Sequence, residues 1–248
     1  MCAIATILWL LVGSFFNVVI HRLPRGQSIV FPPSHCVSCG VRLSPKELIP
    51  FFSYVWQKGR CRHCGAAISL RYPLVELLTA VLLSLIWYLQ GGSPSTYAYL
   101  IFASLLIVIS FIDIDHMLIP DQLLVAGVGV WLVLQLLSPF IAWSDALAGS
   151  ALAFALMLVI FVLSRGGMGF GDVKLVGLIG LYLGLSLTLL SLFLAFVLGA
   201  AVGLTLILLR LKKGKSALPF GPFLALGAYL AMVWGGDIIR WYLQISGF

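Results

Sequence analysis

Between Lys174 and Arg210 the chain carries no charged residue at all. That run is too long for one bilayer crossing, which takes roughly 20 apolar residues. A pair of membrane helices accounts for it, and the small residues of Gly184–Ser186 suit a turn between them. Composition carries the argument to the whole chain. Of 248 residues 62% are hydrophobic and 9% charged, against about 45–50% and about 25% in soluble domains. Too few charges exist to cover a soluble globule, and disorder needs the opposite balance of low hydrophobicity and high charge.

The hydrophobic pattern predicts an all-α polytopic membrane protein of about eight transmembrane helices. Spans are expected near Ala3–Ile20, Leu74–Tyr88, Tyr97–Ile112, Leu118–Leu137, Leu147–Leu163, Val173–Leu187, Leu189–Leu209 and Pro219–Leu243. Several are short by count and should extend into their flanks. The predicted organisation is a first transmembrane helix over 1–20, a small zinc-binding loop module over 21–73, and a seven-helix membrane domain over 74–248. The first helix lacks a basic stretch before it and a cleavage site after it, so it reads as retained rather than as a removed signal.

The charges then orient the chain. Net charge is +7, from 15 Lys+Arg against 8 Asp+Glu. With eight crossings, three separate basic loops fall on one side. Arg22, Arg25, Arg42, Lys46, Lys58, Arg60, Arg62 and Arg71 lie in the first, Arg165 and Lys174 in the second, and Arg210, Lys212, Lys213 and Lys215 in the third. Only Arg240 lies elsewhere. The positive-inside rule makes that side cytoplasmic and puts both termini outside. The basic balance is thereby explained by the membrane, and no nucleic-acid partner is expected.

Four of the five cysteines form two pairs, Cys36-Val-Ser-Cys39 and Cys61-Arg-His-Cys64. Each CxxC brings two thiolates onto one ion, and two such pairs complete the tetrahedral set that structural zinc favours. Gly40 and Gly65 follow the second cysteine of each pair and suit a tight turn. Disulfides are the alternative, but a cytoplasmic loop is held reduced. His35 and His63 are neighbours that four thiolates leave without a place. A closed four-thiolate site has no open position for water, so its zinc should be structural and supply folding energy to a loop with little core. Cys2 stands apart in the first span and reads as a plain buried thiol.

Carboxylates at membrane depth are expensive and are functional candidates by default. Glu47 and Asp145 fall in predicted loops and read as solvated. Two segments stand out: Ser110-Phe-Ile-Asp113-Ile-Asp115 running on to Ile119-Pro120-Asp121, and Gly169-Phe-Gly171-Asp172-Val-Lys174. Both are predicted at the cytoplasmic interface. Glycines 169 and 171 remove side chains beside Asp172, so an extended substrate could approach closely. Two neighbouring aspartates cannot both ionise easily, which supplies one base for water and one acid for a leaving amine. Plainer roles stand beside this. Asp121 after Pro120 suits a helix start, with Pro at the first helical position. Asp115 suits an interfacial position, and Asp172 a partner for Lys174, though residues two apart share no helix face.

Taken together the chain resembles the bacterial prepilin peptidases, also called type IV leader peptidases, which are intramembrane aspartic proteases of the GxGD type. The likeness covers nearly the full length. It includes Gly13-Ser-Phe-Phe-Asn17 through Arg22-Leu-Pro24, both CxxC pairs, Arg71-Tyr72-Pro73-Leu-Val-Glu76, the Asp113 and Asp172 segments, and Pro219-Phe-Gly221-Pro222-Phe. The resemblance implies Asp113, not Asp115, as the first catalytic aspartate and Asp172 as the second. It further implies cleavage of the basic leader of type IV prepilins or type II secretion pseudopilins after a glycine. Such enzymes work on the cytoplasmic side of the bacterial inner membrane. Members with the tetracysteine loop generally also methylate the new amino terminus with S-adenosylmethionine.

The residues themselves present no methyl-donor motif, since Gly167-Met-Gly169-Phe-Gly171 follows no strand. Glu76, Asn17 and Arg71 are polar residues at span ends with no role assigned by sequence. A peptidase without methylation is the narrower alternative. A cation-coupled transporter with a zinc docking loop is another, disfavoured because no internal repeat is present. A presenilin-like protease shares GxGD but leaves the zinc loop without a purpose. Eight basic residues against one acidic in the first loop suggest contact with anionic lipid headgroups. No motif addresses oligomeric state.

Overall fold

Inside a bilayer each backbone N–H and C=O has to be satisfied within the chain, so a run of apolar residues there becomes helix. The computed structural model describes residues 2–211 and 218–246. Lys212, Lys213 and Lys215 of the third basic loop, and the side chain of Cys2, lie outside the described residues. The helices are α1 (Cys2–Arg22), α2 (Phe52–Trp56), α3 (Arg71–Gln90), α4 (Pro94–His116), α5 (Asp121–Leu137), α6 (Trp143–Leu163), α7 (Phe170–Leu208) and α8 (Gly221–Ser246). Among the described residues there is no strand beyond two isolated bridges in the cysteine loop.

Six helices are long and apolar enough to cross a membrane, and α5, with 17 residues, falls short of that length. The predicted spans do extend into their flanks, as α3 and α4 illustrate. Near the expected split, α7 is interrupted at Gly184, whose φ of 73° and ψ of −177° are not helical. The eight predicted apolar segments are thus recovered, two of them as arms of one broken helix. Pro120 differs slightly from expectation. It is the N-cap of α5, one position before the first helical residue, Asp121.

The chain forms two compact units, Met1–Gly91 and Gly92–Phe248. In the first, α1 packs along α3. Gly13 makes this approach possible, since a Cβ there would lie 2.8 Å from the Cα of Glu76. The Asn17 side chain donates to the Tyr72 carbonyl at 3.1 Å, tying α1 to the start of α3.

In the second unit the most extensive packing is between α6 and α7, followed by α7 with α8. Helices in lipid gain no hydrophobic drive toward one another, so close packing of small residues has to hold them. A Cβ on Gly180 would run into the backbone of Gly149 and Ser150, and one on Gly227 into the Ser191 carbonyl. Large residues fill the remaining space: Phe102 stacks on Tyr182 at 4.2 Å, and the Tyr182 hydroxyl donates to the Gly127 carbonyl at 2.9 Å. Asp145 is exposed, as expected, but it does not lie in a loop. It lies in the first turn of α6 and its Oδ1 accepts the Leu185 N–H at 3.0 Å. The break at Gly184 frees that N–H, and the carboxylate caps the helix that restarts there.

Candidate active site and metal centre

The carboxylates of the Gly92–Phe248 unit sort sharply by burial. Asp113 is 5% and Asp172 7% exposed, whereas Asp115, Asp121 and Asp237 are exposed. Asp113 lies one turn before the end of α4, where Met117 turns the chain with a left-handed φ of 50°. Its Oδ2 accepts the N–H of Gly221 at 2.9 Å, at the first residue of α8. A helix start presents free N–H groups and positive potential, so it is a natural seat for a carboxylate. Asp172 lies in the first turn of α7, behind its N-cap Gly169, and close enough to feel the Asp113 charge. Three helix ends thus bring together two acids 59 positions apart in sequence.

Gly171 works differently from the sequence expectation. A Cβ on Gly171 would stand 3.0 Å from the Cβ of Ile119. The room that glycine leaves is therefore taken by the Ile119-Pro120 turn, not held open. Gly221 plays a matching part across the site, since a Cβ there would lie 2.7 Å from the Asp113 carboxylate. The sequence alone gives Gly221 no role. A glycine between two prolines ahead of an apolar run was the available signal, but only the fold gives it a partner.

Lys174 pairs not with Asp172 but with Asp121, whose two oxygens lie 2.7 and 2.9 Å from its Nζ. The same ammonium stands 5.2 Å from the Phe170 ring centroid. This links the starts of α5 and α7 beside the two buried acids.

In the Met1–Gly91 unit the sulfurs of Cys36, Cys39, Cys61 and Cys64 all lie within 4.8 Å of one another. The two halves repeat one turn. Cys36 N–H donates to Val41 O and Gly40 N–H to Cys36 O, as Cys61 does to Ala66 and Gly65 to Cys61. Gly40 and Gly65 take φ of 72° and 73°, as their position after each pair predicted. Tetrahedral zinc with bonds of about 2.3 Å spaces its sulfurs about 3.8 Å apart, and Cys36 and Cys64 stand at 3.9 Å. The donor set fits a structural zinc. Its electrostatics fit as well. Backbone N–H groups of Cys39 and Ser38 pull the Cys36 thiol down to about 6. At Cys64 the Ala66 N–H also lowers, but desolvation and the neighbouring thiols outweigh it and push the value up to about 11. A cation among them would let all four ionise together. His35 and His63 lie outside the cluster, as expected.

Glu47 differs from its expected solvated state, its side chain being only 6% exposed. It closes a capping box in which its Oε2 accepts both the N–H and the hydroxyl of Ser44. These bonds hold the Glu47 carboxyl below the usual carboxylate range, the Ser44 N–H foremost. Glu76 is buried in α3 and accepts the Phe51 N–H at 2.8 Å. Both line a cavity of about 890 Å³, together with Asn17 and Arg22.

Comparison with known proteins gives these features a common frame: a multi-helix membrane protein with a tetracysteine module and two buried aspartates. The family model described as the bacterial peptidase A24 N-terminal domain matches residues 7–90. That of the type IV leader peptidase family matches residues 100–204. A prepilin leader peptidase/N-methyltransferase of Bacillus subtilis is 36% identical, over 99% of this chain and 99% of its own. Proteins of the same description from Aeromonas salmonicida and Pseudomonas aeruginosa are 36% and 35% identical. They cover 95% and 98% of this chain, and 91% and 93% of their own lengths. The chain belongs to the type IV leader peptidase family. No solved structure matches it.

Proposed function

We propose that the protein is a membrane aspartic endopeptidase that removes the basic leader of type IV prepilins or pseudopilins after a glycine, and then N-methylates the new amino terminus. The observation that carries the peptidase reading is the burial of Asp113 and Asp172 alone among the acids of their unit, within reach of each other's charge. Two such carboxylates share one proton. The ionised one takes a proton from water as it attacks the peptide carbonyl, and the protonated one delivers a proton to the departing amine. The Gly221 N–H keeps Asp113 Oδ2 in place throughout.

Membership of the family and the names its relatives carry support methylation, with S-adenosylmethionine as the donor. The donor supplies an electrophilic methyl group. In the tetracysteine loop, zinc held by Cys36, Cys39, Cys61 and Cys64 would fix the fold of 21–73. Cleavage is assigned to the helices of 74–248, and 1–20 is the first membrane helix. The site of action is the cytoplasmic side of a bacterial inner membrane, with both termini outside, because 14 of the 15 basic residues fall on one side of the predicted topology. That excess should also engage anionic headgroups.

The experiment is a mass spectrum of a prepilin incubated in detergent with the protein and S-adenosylmethionine. The expected product has lost its leader and gained one methyl group. Asp113→Asn and Asp172→Asn should each slow cleavage by about 100- to 10,000-fold. Cleavage at the wild-type rate in either variant would sink the dyad.

A further inference from the structure

A cavity of about 890 Å³ lies inside the Met1–Gly91 unit, between the cysteine loop and the α1–α3 pair. Its size is that of a small-molecule site, commonly about 300–1,000 Å³. Most of its wall is apolar, but charged side chains are set into it. Glu47 and Glu76 line it, with side chain or residue exposures of 6% and 7%, and so does Arg22 at 8%. The aromatic rings of Tyr54, Tyr72 and Phe31 complete its wall.

One of these groups is unsatisfied. Glu47 Oε2 takes both Ser44 donors, but Oε1 is buried with no hydrogen-bond partner, and the His63 ring nitrogen Nε2 lies 3.6 Å from it, beyond hydrogen-bond reach. A buried carboxylate oxygen without a donor costs about 1–3 kcal/mol or more. Such an atom on a cavity wall is expected to meet a positive group from outside the chain. Arg22 gives one bond to the Ser28 carbonyl through a single nitrogen, at 3.0 Å. Its guanidinium can pair with a carboxylate as well.

The wall therefore offers two carboxyl groups, one guanidinium and aromatic faces. S-adenosylmethionine carries the complement: a sulfonium and an ammonium, one carboxylate and an adenine ring. We infer that this cavity is the seat of the methyl donor, with Glu47 and Glu76 facing its two positive centres, Arg22 its carboxylate and the aromatic residues its base. The inference rests on the methyltransferase reading above and gives it a place. When the methyl group passes to the substrate amine, the amine lone pair forms the new N–C bond. The C–S electron pair stays on sulfur as a neutral thioether, and the extra proton of the amine leaves to water.

The test is calorimetric titration of the full-length, zinc-loaded protein in detergent with S-adenosylmethionine, beside Glu47→Gln, Glu76→Gln and Arg22→Gln. Variants are compared at equal zinc content and unfolding temperature. Losing a charge-assisted contact should raise Kd by about tenfold or more in each. S-adenosylhomocysteine, which lacks the sulfonium charge, should be weakened less than the methyl donor by whichever glutamate faces that charge. Wild-type affinity in all three folded variants would overturn the site while leaving methylation standing. No binding to the wild-type protein would overturn the methyltransferase reading itself. Photolabelling with an azido-adenine analogue keeps the inference testable if a variant fails to fold. Label on Tyr54, Tyr72 or their neighbours supports it, and label confined to residues beyond Gly91 overturns it.

Discussion

At the scale of single residues, the second unit distinguishes its acids by what surrounds them. Asp113 and Asp115 are two positions apart on one helix, yet one is buried against Gly221 and the other is exposed. Gly221 is as necessary to this arrangement as the acid itself. Gly221→Val should displace Asp113 and lower the leader-cleavage rate by about 100-fold, as misplacements on the order of 1 Å do, while the folded protein persists. A rate within threefold of wild type would mean the backbone bond is dispensable. Lys174 and Asp121 lie beside the site but are half-exposed and exposed, so the pair should contribute little to stability. Glu47 gives a pH signature. Its folded value lies below its unfolded one, so its stabilising effect is full above about pH 4.3 and fades as pH falls through the folded value. Glu47→Gln should therefore flatten the acid limb of a stability–pH curve. An unchanged limb would remove the capping box from the account.

At the scale of elements, α6 and α7 depend on the absence of side chains. Gly149 faces the carbonyl carbon of Gly184 across the interface, and Gly180 faces the Ser150 backbone. Gly180→Leu should separate the helices and cost most of the folded protein, measured as the monodisperse yield in detergent. Gly184 carries a separate burden. At φ 73° any other residue is strained, and a Cβ there would also strike the Asp145 carboxylate. The break it makes divides a helix far longer than a bilayer is thick, and Asp145 satisfies the N–H that the break exposes. Asp145→Ala should lower the unfolding temperature by an amount corresponding to about 1 kcal/mol, the usual loss for a helix cap. No change would mean that water does the same work.

At the scale of the whole molecule, α1 and α3 are the only long helices among the described residues of the first unit, and the loop between them has few buried residues apart from Cys61. Metal should then determine whether that loop folds. One zinc per chain is expected by elemental analysis. Cys61→Ser, which removes the buried ligand, should abolish it and leave the loop open to proteolysis. Chelation of the wild-type protein should do the same, and a loop that resists protease after the metal is gone would make zinc incidental.

Much of this was legible in the residues because the physics behind it is local. Apolar length fixes membrane helices, glycine permits a left-handed turn, and two CxxC pairs impose a metal geometry whatever surrounds them. Hence the helices, the split at Gly184 and the cysteine cluster stand where the sequence placed them. What the tertiary structure alone decided are the pairings between segments distant in the chain. Lys174 could have been matched with Asp172 until α5 brought Asp121 to it. Asp145 reads as an unbonded loop residue because the Leu185 N–H that it accepts comes from 40 positions away. Gly171 holds no space open, because Ile119 fills it. Burial and hydrogen-bond partners depend on which surfaces meet, and spacing along one chain does not contain that information.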